Sequence, residues 1–214
     1  MSVRVTPRHR KGISGGSGGS GGVQGNERLT AMTGAVLLLL LAAEGVTIVF
    51  KRELLTLHFF IGMLLVVPVL LKICSTGYRF VRYYTGSAPY VRRGPPALLL
   101  RLLGPVVIAT SAGVIGSGIV LAITGPAPSQ WMFIHKASFV LWFCAMSVHV
   151  LWYAPQLPRL LRTRSPARDR LSAALAGAGQ RWALLTCAVA AGLVLALATY
   201  HLAGPWTGQA IHGG

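Results

Sequence analysis

The sequence predicts an all-α, polytopic membrane protein with five membrane-spanning helices. Of its 214 residues, 53% are hydrophobic and only 11% are charged, whereas soluble domains carry about 25% charged residues. Lys and Arg lie mainly in the gaps between long apolar runs. This distribution is typical of a membrane protein, so the net charge of +16 argues for a membrane topology and against a nucleic-acid-binding surface.

Five apolar runs are long enough to cross a bilayer, which takes about 20 helical residues. They cover residues 31–50, 54–73, 102–124, 131–153 and 182–202. Each is expected to be helical because unpaired backbone groups are costly in lipid. The first run is longer than the apolar part of a signal peptide, and no clear small-x-small cleavage site follows it before Lys51, so we expect it to be retained.

The basic residues predict the orientation. Seventeen of the 20 Lys and Arg residues lie in 1–28, 72–101 and 159–181, while the alternate gaps hold only Lys51, Arg52 and Lys136. The positive-inside rule then places the N-terminus in the cytoplasm and the C-terminus outside, in the inner (plasma) membrane.

The remaining segments complete the predicted organisation. Residues 1–27 form a basic Gly/Ser-rich tail that we expect to be disordered, 156–181 a basic cytoplasmic loop and 203–214 an extracytoplasmic tail. Small residues in GVIGSGIVLAITG of the third helix permit close helix packing. The three cysteines have no CxxC spacing, which argues against covalent haem attachment and a zinc ribbon and favours packing roles.

Two histidines on the fourth predicted helix indicate chemistry. His135 and His149 are 14 residues apart, so they differ by about 40° in direction and about 21 Å in depth. One imidazole near each edge of the membrane core is the arrangement that two stacked haems need.

His58 is the expected partner of His135. Each is the fifth residue of a predicted helix that begins on the outer side, so their imidazoles should lie at one depth, as in a haem with two axial histidines. Gly62 follows His58 by one turn and would leave room for a flat macrocycle. The depth match favours b-type haem over the packing role that a single helical histidine usually has.

The second helix, LHFFIGMLLVVPVLLK, resembles an H-x-x-x-G-x-x-L pattern, and IHKASFVLWFCAMSVHVLWY resembles an H-x13-H pattern. Both are found in the bacterial cytochrome b family that includes cytochrome b-561, the cytochrome subunits of nickel–iron hydrogenases and the gamma subunits of formate dehydrogenases. The resemblance covers roughly residues 28–155. It implies a four-helix haem-binding bundle with one histidine each on helices one and two and two on helix four, followed here by a fifth transmembrane helix.

One position departs from that pattern. Ala31 stands where the family has its first-helix histidine, and the neighbouring Met32 faces about 100° away. We therefore expect His58 and His135 to hold an outer haem b. An inner haem on His149 stays open: absent, five-coordinate, or held by an unexpected ligand.

Other polar residues in the spans carry weaker expectations. Glu44 is either a proton relay or quinone contact, or a structural pair with Lys136 or Arg52. Lys136 is also a candidate contact for a haem propionate. His201 is expected at the interface and is the spare ligand for the outer site, while His9 lies in the tail and receives no role.

The sequence thus predicts an electron-transfer subunit of an oxidoreductase, a membrane cytochrome b between a quinone pool and a separate redox protein. No GxGxxG motif follows a strand, and no soluble domain offers a second cofactor site of its own, so the partner is another chain. A metal or ferric reductase would share the haem and differ in its acceptor. The alternative is a haem-free small transporter or scaffold subunit of a membrane complex, which would explain the missing histidine.

Overall fold

The computed structural model describes residues 18–92, 94, 98–126, 130–153 and 177–212. The elements in this part of the chain are α1 (Gly18–Val49), α2 (Leu55–Tyr84), α3 (Ala88–Val91), α4 (Leu98–Thr124), α5 (Gln130–Tyr153), α6 (Ala178–Thr199), a 3₁₀ turn (Tyr200–Ala203) and α7 (Gly204–His212). The predicted all-α class is confirmed.

Five of these helices, α1, α2, α4, α5 and α6, are long and apolar enough to cross a membrane. Large apolar side chains cover their outer surfaces: Phe133 is 75% exposed, Leu39 73% and Val194 65%. Such a surface would be unstable in water and matches the hydrocarbon of a bilayer. The chain is a multi-pass membrane protein that contacts lipid.

The helices extend beyond several predicted ends. Residues 18–27, which were expected to be disordered, are helical. At the end of this segment the Asn26 side chain donates a hydrogen bond to the Ser75 carbonyl of α2 (3.0 Å), and Arg79 of α2 pairs with Glu27 at 3.6 Å. α2 also passes its predicted end and stops where Gly86 adopts a φ of +76°.

At the C-terminal end, the predicted extracytoplasmic tail is helical from Gly204 to His212. The predicted disorder of residues 1–17 and most of the predicted loop 156–181 fall outside the described residues.

α2 lies at the centre of the described helices, between α1 and α6, with a smaller contact to α4. The fifth membrane helix, α6, packs closely on α2 through Ala188, Gly192 and Ala196, which are all buried. A Cβ built on Gly192 would lie only 2.3 Å from the Leu64 carbonyl oxygen. Small residues at four-residue spacing therefore let the two backbones touch.

α5 packs mainly on α4. A Cβ on Gly113 would lie 2.7 Å from Ser138 Oγ, and one on Gly118 would lie 3.2 Å from His135 Cε1. The predicted close packing of the third membrane helix through its small residues is confirmed. One of those glycines faces the imidazole that the sequence singles out.

The helix ends gather at two levels. The C-terminal ends of α1 and α4, the N-terminal ends of α2 and α5, and the 3₁₀ turn with α7 lie together, as the contacts of α2 and α4 with that turn show. We call this the histidine end because it contains His58 and His135. The opposite end, around Lys72 on α2 and Thr30 on α1, is the lysine end.

Candidate functional site: two supported histidines

His58 lies in the first turns of α2, and two side chains of α1 hold its ring. Its Nδ1 is 2.8 Å from Glu44 Oε1 and 3.2 Å from Thr47 Oγ1. Thr47 in turn donates to the Glu44 backbone carbonyl (2.6 Å) and lies 3.1 Å from its Oε2. Since a carboxylate only accepts hydrogen bonds, the Nδ1–H of His58 donates to Glu44.

His135 lies in the second turn of α5, and α4 holds its ring. Its Nδ1 is 3.0 Å from the Val114 carbonyl oxygen and 3.1 Å from Ser117 Oγ. A carbonyl also only accepts, so here too Nδ1 carries the proton. Ser117 Oγ can accept a hydrogen bond from His135 Nδ1 because its own hydroxyl proton points to the carbonyls of Gly113 and Val114.

The two rings lie close together, nearly at right angles. Their centroids are 6.3 Å apart, and their planes meet at 81°. In the neutral form of each ring, donation of a hydrogen bond by Nδ1 leaves the lone pair on Nε2. Within the part of the chain that the structure describes, neither Nε2 has a hydrogen-bond partner. Two Lewis-basic nitrogens are therefore presented by two different membrane helices at one level.

Trp206 of α7 covers this end of the bundle. Its ring lies 6.1 Å from that of Phe59, the residue after His58. The indole Nε1 is buried and has no hydrogen-bond partner among the described residues. A buried N–H of this kind usually has a partner, so Trp206 offers an unused donor at the histidine end.

The other predicted site residues lie as follows. Lys136 and His201 are exposed, and His149 is partly buried near the lysine end. The atom nearest to a Cβ built on Gly62 is Glu44 Oε1, at 3.6 Å, so the space expected for a macrocycle at Gly62 borders on the carboxylate. For Glu44 the expected partners Lys136 and Arg52 are wrong: its partner is His58.

The lysine end holds a second set of polar groups. Lys72 Nζ donates to the Thr30 carbonyl (2.6 Å), and Thr30 Oγ1 donates to Ser75 Oγ (3.1 Å). A Cβ on Gly34 would lie 3.0 Å from Nζ, so this glycine gives the ammonium its place against α1.

Sequence reasoning missed the residues that support the two rings: Thr47, Ser117 and Gly118. Thr47 is one helical turn after Glu44, a spacing that brings side chains together, so its contact with Glu44 could have been predicted from the sequence. Ser117 and Gly118 act across an interface between helices, and no local pattern identifies them. Lys72 carried a readable signal, its spacing of 14 residues from His58.

Comparisons with protein-family models, with curated proteins and with solved structures find no match to this chain.

Proposed function

We propose that the protein is a membrane b-type cytochrome in which His58 and His135 would hold the iron of one haem. The observation that carries the proposal is the pair of neighbouring imidazoles, 6.3 Å between centroids, each with Nδ1 close to a protein acceptor. The resemblance of the second and fourth membrane helices to the cytochrome b family supports the same ligands.

The separation fits two ligands on one iron. An imidazole nitrogen binds a transition metal at about 2.0–2.1 Å and lies about 1.1 Å from its ring centre, so two imidazoles on one metal have centroids about 6.2–6.4 Å apart. Because an imidazole nitrogen can bind a metal at any rotation of its ring about the metal–nitrogen bond, ring planes at 81° would not prevent the two residues from holding one iron.

The surroundings of the rings also fit. Ligating histidines characteristically donate their other N–H to a carboxylate or carbonyl, which fixes the ring and raises its basicity. Glu44 does this for His58 and the Val114 carbonyl for His135. No three His, Cys, Asp or Glu side chains come together as a metal site in the described ranges, and a haem iron needs only two protein ligands.

Bound haem would supply reversible one-electron transfer; the chain's own residues would hold and tune it. Glu44 places a carboxylate behind one ligand, which favours the more positive ferric state. Trp206 offers its buried N–H to a polar edge of the cofactor, such as a propionate.

The functional role follows from the location. The Lys and Arg distribution supports a cytoplasmic N-terminus, so the histidine end lies at the outer face of the inner (plasma) membrane. Residues at this end would then hold the haem where electrons could pass between quinone in the bilayer and a separate redox protein outside. The chain is then an electron-transfer subunit of an oxidoreductase.

The test is a reduced-minus-oxidised absorbance spectrum of the protein purified in detergent. We expect a b-type α-band, and His58→Ala and His135→Ala should each remove the haem that these residues bind. His201→Ala is the control, because that side chain is exposed and should leave the band unchanged. A wild-type protein without an α-band would refute the proposal and favour a haem-free transporter or scaffold.

A further inference from the structure

The last turns of α2 extend past the hydrocarbon layer at the lysine end. α2 has 30 residues and is therefore about 45 Å long. The hydrocarbon core of a bilayer is about 30 Å thick, and the headgroup layers bring the total to about 40–45 Å. Because α2 begins at the histidine end, its turns from Tyr78 to Tyr84 lie about 35–44 Å along the helix. They reach the depth of the lipid headgroups.

Positive charge predominates at this depth. Among the described residues at the lysine end, Glu27 is the only carboxylate, and it pairs with Arg79 at 3.6 Å. Arg82, Arg92 and Arg101 have no carboxylate partner in the described ranges. Basic side chains at a membrane surface attract anionic lipid headgroups, and basic pockets between membrane helices bind them specifically.

Arg101 of α4 and Tyr84 of α2 form a pair of hydrogen-bond donors in this layer. The Arg101 guanidinium donates to the Tyr84 hydroxyl oxygen from Nε (3.1 Å) and from Nη2. Two of its five N–H groups are used in this way, so three remain for another acceptor. The Tyr84 hydroxyl also keeps its own proton, because its oxygen is the acceptor in both contacts and no acceptor for that proton lies among the described residues. The pair therefore presents N–H and O–H donors side by side.

The surface next to this pair, toward the membrane core, is apolar. One turn before Tyr84 on α2, Phe80 contacts its ring, with centroids 4.5 Å apart, and is 49% exposed. On α4, Leu102 is 66% exposed, and Pro105, one turn after Arg101, is also exposed. A ligand with an anionic head and apolar chains would contact both parts of this surface, whereas a free anion would contact only the polar part.

We propose that Arg101 and Tyr84 bind the phosphate of an anionic phospholipid, such as phosphatidylglycerol, whose acyl chains lie against α2 and α4. The phosphate oxygens accept hydrogen bonds from the remaining guanidinium N–H groups and from the phenol, and such charge-assisted bonds are stronger than neutral ones. The lipid then connects two helices that otherwise share only a small contact. The inference is independent of the proposed haem, because the site lies at the opposite end from His58 and His135.

The test is native mass spectrometry of the full-length protein in detergent, titrated with phosphatidylglycerol or with zwitterionic phosphatidylcholine. We expect tighter binding of the first phosphatidylglycerol, because the basic residues repel the choline ammonium. Arg101→Gln and Tyr84→Phe should each weaken phosphatidylglycerol binding about tenfold, the effect of losing one charge-assisted contact. Arg82→Gln is the matched control: it removes the same charge from the same end of the protein, but Arg82 lies over the Tyr90 ring of α3, at 6.0 Å, and its loss should have a much smaller effect.

Far-UV circular dichroism of each variant checks the fold, and Tyr84→Phe, which removes a single oxygen atom, keeps the test decisive if Arg101→Gln unfolds. Equal binding of the two lipids to the wild type would overturn the inference. An equal loss in Arg82→Gln would also overturn it, because the attraction would then come from the general charge of this end. Inorganic phosphate at millimolar concentration should not displace the lipid; displacement would assign the pair to a soluble anion instead.

Discussion

Gly118 offers the sharpest test of the histidine end, because it touches His135 without being a ligand. A Cβ at this position would lie 3.2 Å from Cε1 and 3.5 Å from Nδ1 of the ring, and ordinary contact begins at 3.4 Å. In Gly118→Ala the ring must therefore move by a few tenths of an ångström. The hydrogen bonds to Val114 and Ser117 resist that movement.

The size of the effect follows from the contact. Overpacking costs about 1–3 kcal/mol, and one methyl group at slightly short distance belongs at the low end, about 1 kcal/mol. That corresponds to a roughly fivefold loss of haem affinity. Metal–ligand distances tolerate changes of only about 0.2 Å, so Gly118→Leu, whose branched side chain needs the space of the ring, should abolish haem binding by His58 and His135.

The assay is the α-band absorbance per protein, with a haem titration of the apoprotein for the alanine variant. Gly116 provides matched controls two residues earlier on the same helix, since a Cβ there meets nothing within 4 Å. Gly116→Ala and Gly116→Leu should gain as much helix propensity as the same substitutions at Gly118, but they should keep the haem. The reasoning is refuted if Gly118→Leu retains the full α-band of this site, or if Gly116→Leu loses as much.

Three more predictions concern other contacts. Glu44→Ala should raise the midpoint potential of the haem by about 50 mV, since roughly 1 kcal/mol of ferric stabilisation is lost with the carboxylate; the exposed Glu53→Ala should leave a redox titration unchanged. Trp206→Phe should keep the haem but shift its α-band or potential if the indole N–H donates to it, and identical spectra would count against that donor. Gly192→Ala should lower the free energy of unfolding by about 1–3 kcal/mol, because its Cβ would lie 2.3 Å from a backbone carbonyl of α2. Gly179→Ala is the control and should leave the free energy of unfolding unchanged, because a Cβ there meets nothing within 4 Å. Equal denaturation midpoints for the two variants would contradict the close contact at Gly192.

Much of the architecture could be predicted because a membrane helix can be recognised from the local sequence alone. An apolar run of spanning length must be helical in lipid, so five spans were readable without any knowledge of their neighbours. Helix ends were less readable. α1 begins at Gly18, inside a glycine-rich stretch with poor intrinsic helix propensity, because contacts from Asn26 and Glu27 to α2 hold it.

The candidate site was likewise predictable in part and unpredictable in part. The depths of His58 and His135 follow from a fixed rise per residue, and their proximity was expected for that reason. The partner of Glu44 was not expected from the sequence, because proximity along the chain favoured Arg52 and depth in the membrane favoured Lys136. The side chain instead reaches the first turns of α2, where His58 offers a hydrogen-bond donor at 2.8 Å.

The sequence alone determined how many times the chain crosses the membrane and at which level each histidine lies, since both depend only on local hydrophobicity and helix geometry. Tertiary structure decided how the helices are rotated and which of them touch. That rotation depends on contacts between distant segments, such as Gly192 against α2 and Gly118 against His135. It sets the 6.3 Å separation of the two rings and places the acceptors that keep both Nε2 lone pairs free.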